Sequence, residues 1–487
     1  MSLLPPSFRD QIVGQDQRFE SPYGEKRILY ADWTASGRLY RPIEDKMQRV
    51  FGPFVGNTHT ETNVTGTSMT VAYHQAQQII KSHVRAAPTD CLIAYGSGMT
   101  GVINKFQRIL GMRLPEKWRF QVPLAEKDRP VIFVTHMEHH SNQTSWLETI
   151  CDVEVIAPTA EGLVDLTHLE ALLARYADRE VKIAAVTACS NVTGIQTPYH
   201  QIAARMHRRG GLCFVDFACS APYVPIDMHP ADSEQKLDAI YFSPHKFLGG
   251  PGTPGILIFD SALYHNTVPD NPGGGTVQWT NPWKEHHYIE DIERREDGGT
   301  PPFLQTIQAA LCIRLKEQMG VERIMEREEE LVKMVFDRLD RVPRLKVLAG
   351  HIRARLGVFS FVIEGLHFNL GVRLLNDRFG VQVRGGCSCA GTYGHYLLEM
   401  DQQLSHVLYA QIQQGDQTSR PGWIRLSIHP TMTDEEIMEI CDAIEQVALH
   451  HARWSEDYRY DPHTNEFMHK NDRPEAFETR VANWFDL

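Results

Sequence analysis

Tyr241-Phe242-Ser243-Pro244-His245-Lys246 carries an apolar run up to a lysine with a hydroxyl and an imidazole beside it, and Phe247-Leu248-Gly249-Gly250-Pro251-Gly252 then turns the chain away. A lysine at the end of an inner strand is costly to bury unless its charge is removed. Condensation with an aldehyde removes it. The best-fitting aldehyde is pyridoxal phosphate, whose sites pair such a lysine with an aspartate for the pyridinium nitrogen. Taken alone, Lys246 reads equally well as a surface lysine in a turn. Asp216 shifts that balance. It closes Leu212-Cys213-Phe214-Val215, about thirty residues before Lys246. A carboxylate there stands at the carboxyl end of an inner strand, where open α/β sheets bind ligands. The competing role for Asp216 is to cap the next segment.

Further residues have types suited to the same chemistry. Gly96-Ser97-Gly98-Met99-Thr100-Gly101 leads into a helix-like stretch, Val102 to Leu110, and free N–H groups at such a turn can hold a phosphate. Ser243, His245 and Thr300 are additional phosphate donors. His139, in His136-Met137-Glu138-His139-His140, is placed to stack on a ring and to shuttle protons near neutral pH. A metal site built from His136, His139 and His140 is the rival reading, but no cysteine or carboxylate cluster at ligand spacing accompanies it. Arg384-Gly385-Gly386-Cys387-Ser388-Cys389 puts two cysteines on a glycine-flanked, basic loop, where a thiol can reach its thiolate form and act as a nucleophile. Two unreactive loop cysteines are the alternative. Arg425 lies on the apolar run Trp423-Ile424-Arg425-Leu426-Ser427 and needs an anion, either a substrate carboxylate or a structural ion-pair partner.

The elements that must position these residues follow from hydrophobic patterning. Strands are expected at Val131–Thr135, Val153–Ile156, Ile183–Thr187, Leu212–Asp216, Ala239–Ser243 and Gly255–Phe259. Helical segments alternate with them at Gln143–Ile150, Leu166–Tyr176 and Pro198–Arg209, the pattern of a parallel sheet covered by helices. Asn271 to Phe303 is Gly/Pro-rich and too long for a simple connection, which marks it as functional or as an interface loop. A helical region, Leu304 to Leu339, is broken at Gly320, and its charged run Glu326 to Glu330 reads as a solvated face. Leu345 to Leu449 reads as a second, smaller α/β unit. The aromatic tail after His450 reads as an arm packed on something.

At 487 residues the chain exceeds a single core. The formal net charge of −12 argues against nucleic acid or an anionic membrane as main partner. Nine scattered cysteines do not form a secreted disulfide framework. The start, Met1-Ser2-Leu3-Leu4-Pro5-Pro6, lacks the pattern of a signal peptide, and no apolar run has membrane-spanning length. A cytoplasmic location with reduced thiols is expected.

Together these residues resemble the class V aminotransferase family of fold type I pyridoxal-phosphate enzymes, specifically its cysteine desulfurase and selenocysteine lyase branch. The resemblance runs from Tyr30 to about Pro430. It is carried by Tyr30-Ala31-Asp32-Trp33-Thr34-Ala35, Met137-Glu138-His139-His140, Ser190-Asn191-Val192-Thr193-Gly194, Val215-Asp216, Ser243-Pro244-His245-Lys246, Gly299-Thr300-Pro301, the Arg384–Cys389 loop and Arg425-Leu426-Ser427. The implied fold is α/β. An amino-terminal arm (1–29) precedes a large cofactor domain (30–303) with a mostly parallel sheet flanked by helices. A smaller α/β domain (304–449) and a carboxyl-terminal extension (450–487) follow.

The resemblance also implies roles. Lys246 is the Schiff-base lysine, Asp216 partners the pyridinium, and His139 stacks on the ring. Gly98, Met99, Thr100, Ser243 and His245 bind the phosphate, and Thr300 reaches the phosphate of a neighbouring subunit in a homodimer. Asn191 contacts cofactor or substrate, and Ala35, Arg384 and Arg425 belong to the substrate pocket. Cys389 is the nucleophile. The implied reaction takes sulfur from L-cysteine as a persulfide on Cys389, releases L-alanine and passes the sulfur to an acceptor protein; no metal is called for. An unperturbed thiol has a pKa of about 8.5, so Cys389 needs help from Arg384 or His139 to ionise. Cys219 stands where the family commonly has a glutamine, Met99 where it has a threonine, and Gly101 where it has an acidic residue. These departures leave open another class V reaction in which Cys389 is not the nucleophile: a C–S or C–Se lyase, an epimerase or an aminotransferase. A catalytically silent binding protein is the third reading.

Overall fold

The computed structural model describes residues 4–119, 121 and 123–487; the first three residues of the expected amino-terminal arm lie outside them. Seven strands form the main sheet: β1 (Asp90–Tyr95), β2 (Val131–Thr135), β3 (Asp152–Ile156), β4 (Lys182–Thr187), β5 (Leu212–Asp216), β6 (Ala239–Phe242) and β7 (Gly255–Asp260). Their order across the sheet is β1-β7-β6-β5-β4-β2-β3. Only β7 runs against its neighbours, β1 and β6; the ladders from β6 to β3 are parallel. The inner strands are apolar and buried along their whole length, as expected where both faces are covered by helices. On one face Phe106 packs its ring 5.1 Å from those of Phe214 and Phe259.

The intervening helices follow local signals. Asp165 accepts from the N–H groups of Thr167 and His168 and opens the helix Leu166–Arg175, an N-cap as its position suggested. Gly320 separates the helices Phe303–Met319 and Val321–Leu339. The second of these is not simply solvated across its charged run. Arg327 is buried, donating to Met432 O and to Asp434, and Glu328 accepts from Gly357 N.

A second sheet of four strands, β8 (Leu345–Val347), β9 (Val358–Ile363), β10 (Arg384–Gly386) and β11 (Trp423–Ser427), is antiparallel throughout, in the order β8-β9-β11-β10. The helix Asp434–Trp454 lies beyond it and runs through the expected boundary at residue 449. The tail then packs back. Tyr458 donates to Asp377, Tyr23 to Asp457, and the Arg378 guanidinium lies between the rings of Tyr23 and Trp454. Trp484 and Phe485 remain exposed.

Candidate active site

The carboxyl ends of β5 and β6 deliver Asp216 and, after a tight turn at Pro244–Lys246, the lysine itself. Lys246 N donates to Ser243 O, while its side chain makes no hydrogen bond or ion pair to any described residue. Burial holds its ammonium below the ordinary lysine range, opposed by the nearby Cys219 and Asp216. Burial pushes the Asp216 carboxyl up to about 6, although the N–H of Ala218 donates to it and Lys246 lies near. A buried carboxylate of this kind is stabilised by a cation placed against it.

The turn before the helix Met99–Ile109 meets the lysine segment directly. Met99 N donates to Ser243 Oγ at 2.8 Å. A Cβ on Gly98 would lie 3.1 Å from that oxygen and 3.6 Å from His245 Nε2, so only a bare backbone leaves this corner open. Thr100 Oγ1 lies 2.7 Å from Ser141 Oγ. Gly98, Met99, Thr100, Ser243 and His245 therefore converge, and with the helix amino terminus they offer hydroxyl and N–H donors to an anion. The segment after Asp32 closes the far side: Gly37 N and Ser36 Oγ both donate to His245 O, and Ala35 N donates to Asp32 O. Thr300 is not brought to this cluster. It is exposed on the Gly299–Thr300 loop, whose glycine donates to Gly274 O.

His139 caps the helix His140–Leu147, accepting from Ser141 N at Nδ1. Burial, with Lys246, His140 and Arg425 adding to it, lowers its pKa to about 3. The ring is thus neutral near pH 7, with its proton on Nε2, which narrows its expected role from proton shuttle to a neutral ring facing the cleft. His136 Nε2 faces Gly162 O and His140 Nε2 accepts from Gly391 N, so the three imidazoles turn to different partners.

The same histidine pair anchors the cysteine loop. His140 N donates to Cys389 O at 2.8 Å, Asn191 Nδ2 to Ser388 O at 2.7 Å, and Trp423 Nε1 to Ser388 Oγ at 3.2 Å. Ser388 and Cys389 both adopt left-handed backbone, with φ of 52° and 55°, a conformation that side chains with a Cβ rarely take. The loop is over-determined by its contacts, and Cys389 is left exposed. Asn191 keeps a buried Oδ1 without a partner.

Several neighbours of these residues have no role assigned from the sequence, although Asp32 and Glu138 lie in motifs that carry the family resemblance. Asp32 takes both arginines, Arg425 Nη2 at 2.6 Å and Arg384 Nε at 3.0 Å. Arg425 is thus ion-paired within the chain, the structural alternative its sequence context left open. Glu138 is fully buried and accepts from Thr135, Thr187 and Asn142, fixing the approach to His139. Cys219 is buried beside Cys189, and both thiols face Ser190 O; Cys189, Lys246 and Arg425 all favour the Cys219 thiolate. Lys316 holds the loop behind Cys219 by donating to Ala221 O and Val224 O.

These residues fit pyridoxal phosphate. The Lys246 side chain, without a partner among the described residues, lies near the buried Asp216 and His139; Asn191 adds an open acceptor and the Gly98–Thr100 turn its donors. Comparison with known proteins points the same way. A family model described as aminotransferase class-V matches residues 29–440. A probable cysteine desulfurase of Halalkalibacterium halodurans is 28% identical over 371 residues, 74% of this chain and 84% of the relative. One of Staphylococcus epidermidis is 27% identical over 375 residues, 76% and 85% of the two chains. Among solved structures, the apo cysteine desulfurase of Thermococcus onnurineus superposes with a TM-score of 0.72 at 20% identity, covering 92% of this chain and 98% of that one. The cysteine desulfurase CsdA of Escherichia coli gives 0.69 at 21%, covering 91% and 98%. The fold is shared with these enzymes.

Proposed function

Because the chain belongs to the aminotransferase class-V family, we propose that it is a pyridoxal-phosphate-dependent cysteine desulfurase that converts L-cysteine to L-alanine and collects the sulfur on Cys389. Lys246 would hold the cofactor, Asp216 its ring nitrogen, His139 its ring face, and Gly98, Met99, Thr100, Ser243 and His245 its phosphate. The bound cofactor supplies an electron sink that makes the substrate Cα–H acidic and its sulfur open to attack. The chain does the rest. Arg425 orients the amino acid through its carboxylate, and Lys246, its charge held down by burial, takes and returns the Cα proton. Cys389, as thiolate, attacks the substrate sulfur: an S–S bond forms, the C–S bond breaks, and alanine leaves after a proton returns to its carbon. Asn191 and His140 keep the nucleophile's loop against the cleft.

The observation that carries this reading is that backbone hydrogen bonds from the His139–His140 turn and the Asn191 amide fix the Cys389 loop. Alanine production from L-cysteine by a Cys389→Ala variant tests it. The expected variant keeps the cofactor's visible absorption and makes no alanine. Undiminished alanine would remove Cys389 from the chemistry and leave C–S cleavage to a lyase reaction that needs no thiol nucleophile, whereas a wild type that makes no alanine from L-cysteine would select an epimerase or aminotransferase reaction. We further place the enzyme in the cytoplasm as a homodimer that delivers persulfide sulfur to an acceptor protein. Its nine unpaired cysteines support a reducing compartment. Among the described residues no helix is long and apolar enough to cross a membrane.

A further inference from the structure

Arg384 on β10 and Arg425 on β11 are directly opposed in an antiparallel pair. Like charges so placed repel one another. Their shared counterion is Asp32, one oxygen to each: Oδ1 to Arg425 Nη2 at 2.6 Å and Oδ2 to Arg384 Nε at 3.0 Å. Arg425 is buried; its Nη1 donates to Asn191 O at 3.2 Å, and its Nε has no partner. Arg384 is half exposed. Backbone contacts clamp the aspartate's position on both sides, since Ser427 N donates to Ala31 O and Thr34 N to Ser427 Oγ.

We propose that Asp32 is an internal stand-in for the amino-acid carboxylate. It holds the two arginines together while the cleft lacks substrate, and an arriving α-carboxylate takes Arg425 from it, leaving Asp32 to Arg384. This rests on the reading of Arg425 as the carboxylate-binding group. The exchange replaces one carboxylate–arginine pair by another, so the substrate gains less than it would from a free arginine. An amine without a carboxylate has nothing to displace. Asp32 therefore sets how strongly the site prefers amino acids over simple amines, acting through Arg425 as a positioning residue.

Calorimetric titration of the holoenzyme with L-alanine and with ethylamine, which is alanine without its carboxyl group, tests this. Asp32→Asn keeps the shape and removes the competing charge. It is expected to bind L-alanine about tenfold more tightly, the scale of one charge-assisted hydrogen bond, with ethylamine affinity unchanged. Asp32→Glu, which keeps the charge, is expected not to tighten L-alanine. Weaker or unchanged L-alanine binding in Asp32→Asn, or equal shifts for both ligands, overturns the inference, as does tightening in Asp32→Glu. Asp32→Ser repeats the measurement if the asparagine variant does not fold. Arg425→Gln separates the two levels. If it leaves L-alanine affinity untouched, the reading of Arg425 fails; if it abolishes the preference for L-alanine while Asp32→Asn shows no gain, only the role of Asp32 fails.

Discussion

Glu138 positions His139 at a cost that depends on pH. Burial pushes its carboxyl up to about 7, against the hydrogen bonds from Asn142, Thr135 and Thr187. The folded pKa lies above that of an unfolded glutamate, so the group's contribution to stability is full at pH below about 4.5 and is lost as pH rises through 7. Glu138→Gln removes that titration. Urea unfolding of both proteins at pH 5 and pH 8 is therefore expected to show wild type losing stability relative to the variant on going to pH 8; a constant difference would mean the carboxyl stays ionised. This residue, Asp32 and Cys189 mark the limit of what the sequence says about the site. Lys246, Asp216 and the Cys389 loop are legible because their own neighbours carry the signal: an apolar run, a strand end, glycines. Asp32 meets Arg425 across 393 residues, and no local pattern shows which of 61 acidic residues will do so.

The active-site elements were legible to different depths for a similar reason. The inner strands are apolar runs between turn signals, so their existence could be read from β2 to β7. Their parallel run was also expected, from the helices that alternate with them, and the ladders from β6 to β3 are parallel; the reversal of β7 and the antiparallel order of the second sheet appear only in the fold. β1, a run of Cys91-Leu92-Ile93-Ala94, was not among the expected strands. The least legible element is the Cys387–Cys389 turn, whose two left-handed residues are imposed by partners on three other segments. Trp423 is one of them. Trp423→Phe keeps the buried ring but removes the donor to Ser388 Oγ, at an expected cost of about 1 kcal/mol in stability. Alanine formation is expected to fall several-fold more than that loss of folded protein accounts for, because the loop that presents Cys389 is loosened. A thermal melt alongside kcat checks both. Wild-type kcat with a lowered melting temperature would show that the loop does not need this tether.

At the scale of the whole molecule, the long segment between β7 and the helix Phe303–Met319 is anchored at its base and largely exposed beyond it. Its base is tied down by buried charges: Lys105 pairs with Glu296 at 2.7 Å, Arg108 with Asp270, and Tyr264 and Tyr73 donate to Glu296 and Asp297. Such a network is expensive to bury unless each member is paired. Its effect is to hold Gly298, Gly299 and Thr300 at the surface, away from their own Gly98–Ser243 turn. The proposed homodimer would give this arrangement a use, since Thr300 would then reach the phosphate corner of the partner's site. Complementation tests that directly. Lys246→Ala and Thr300→Asp are each expected to be inactive as pure dimers. In a mixed dimer the subunit that retains Lys246 receives an intact Thr300 from its partner, so one of the two sites is whole. Co-expression of equal amounts should then restore about a quarter of wild-type alanine production, because half of randomly paired dimers are mixed and each has one working site. If Thr300 served its own subunit, every site in the mixture would carry one lesion or the other, and no activity would return. Sedimentation of the same mixture distinguishes that outcome from a failure to pair.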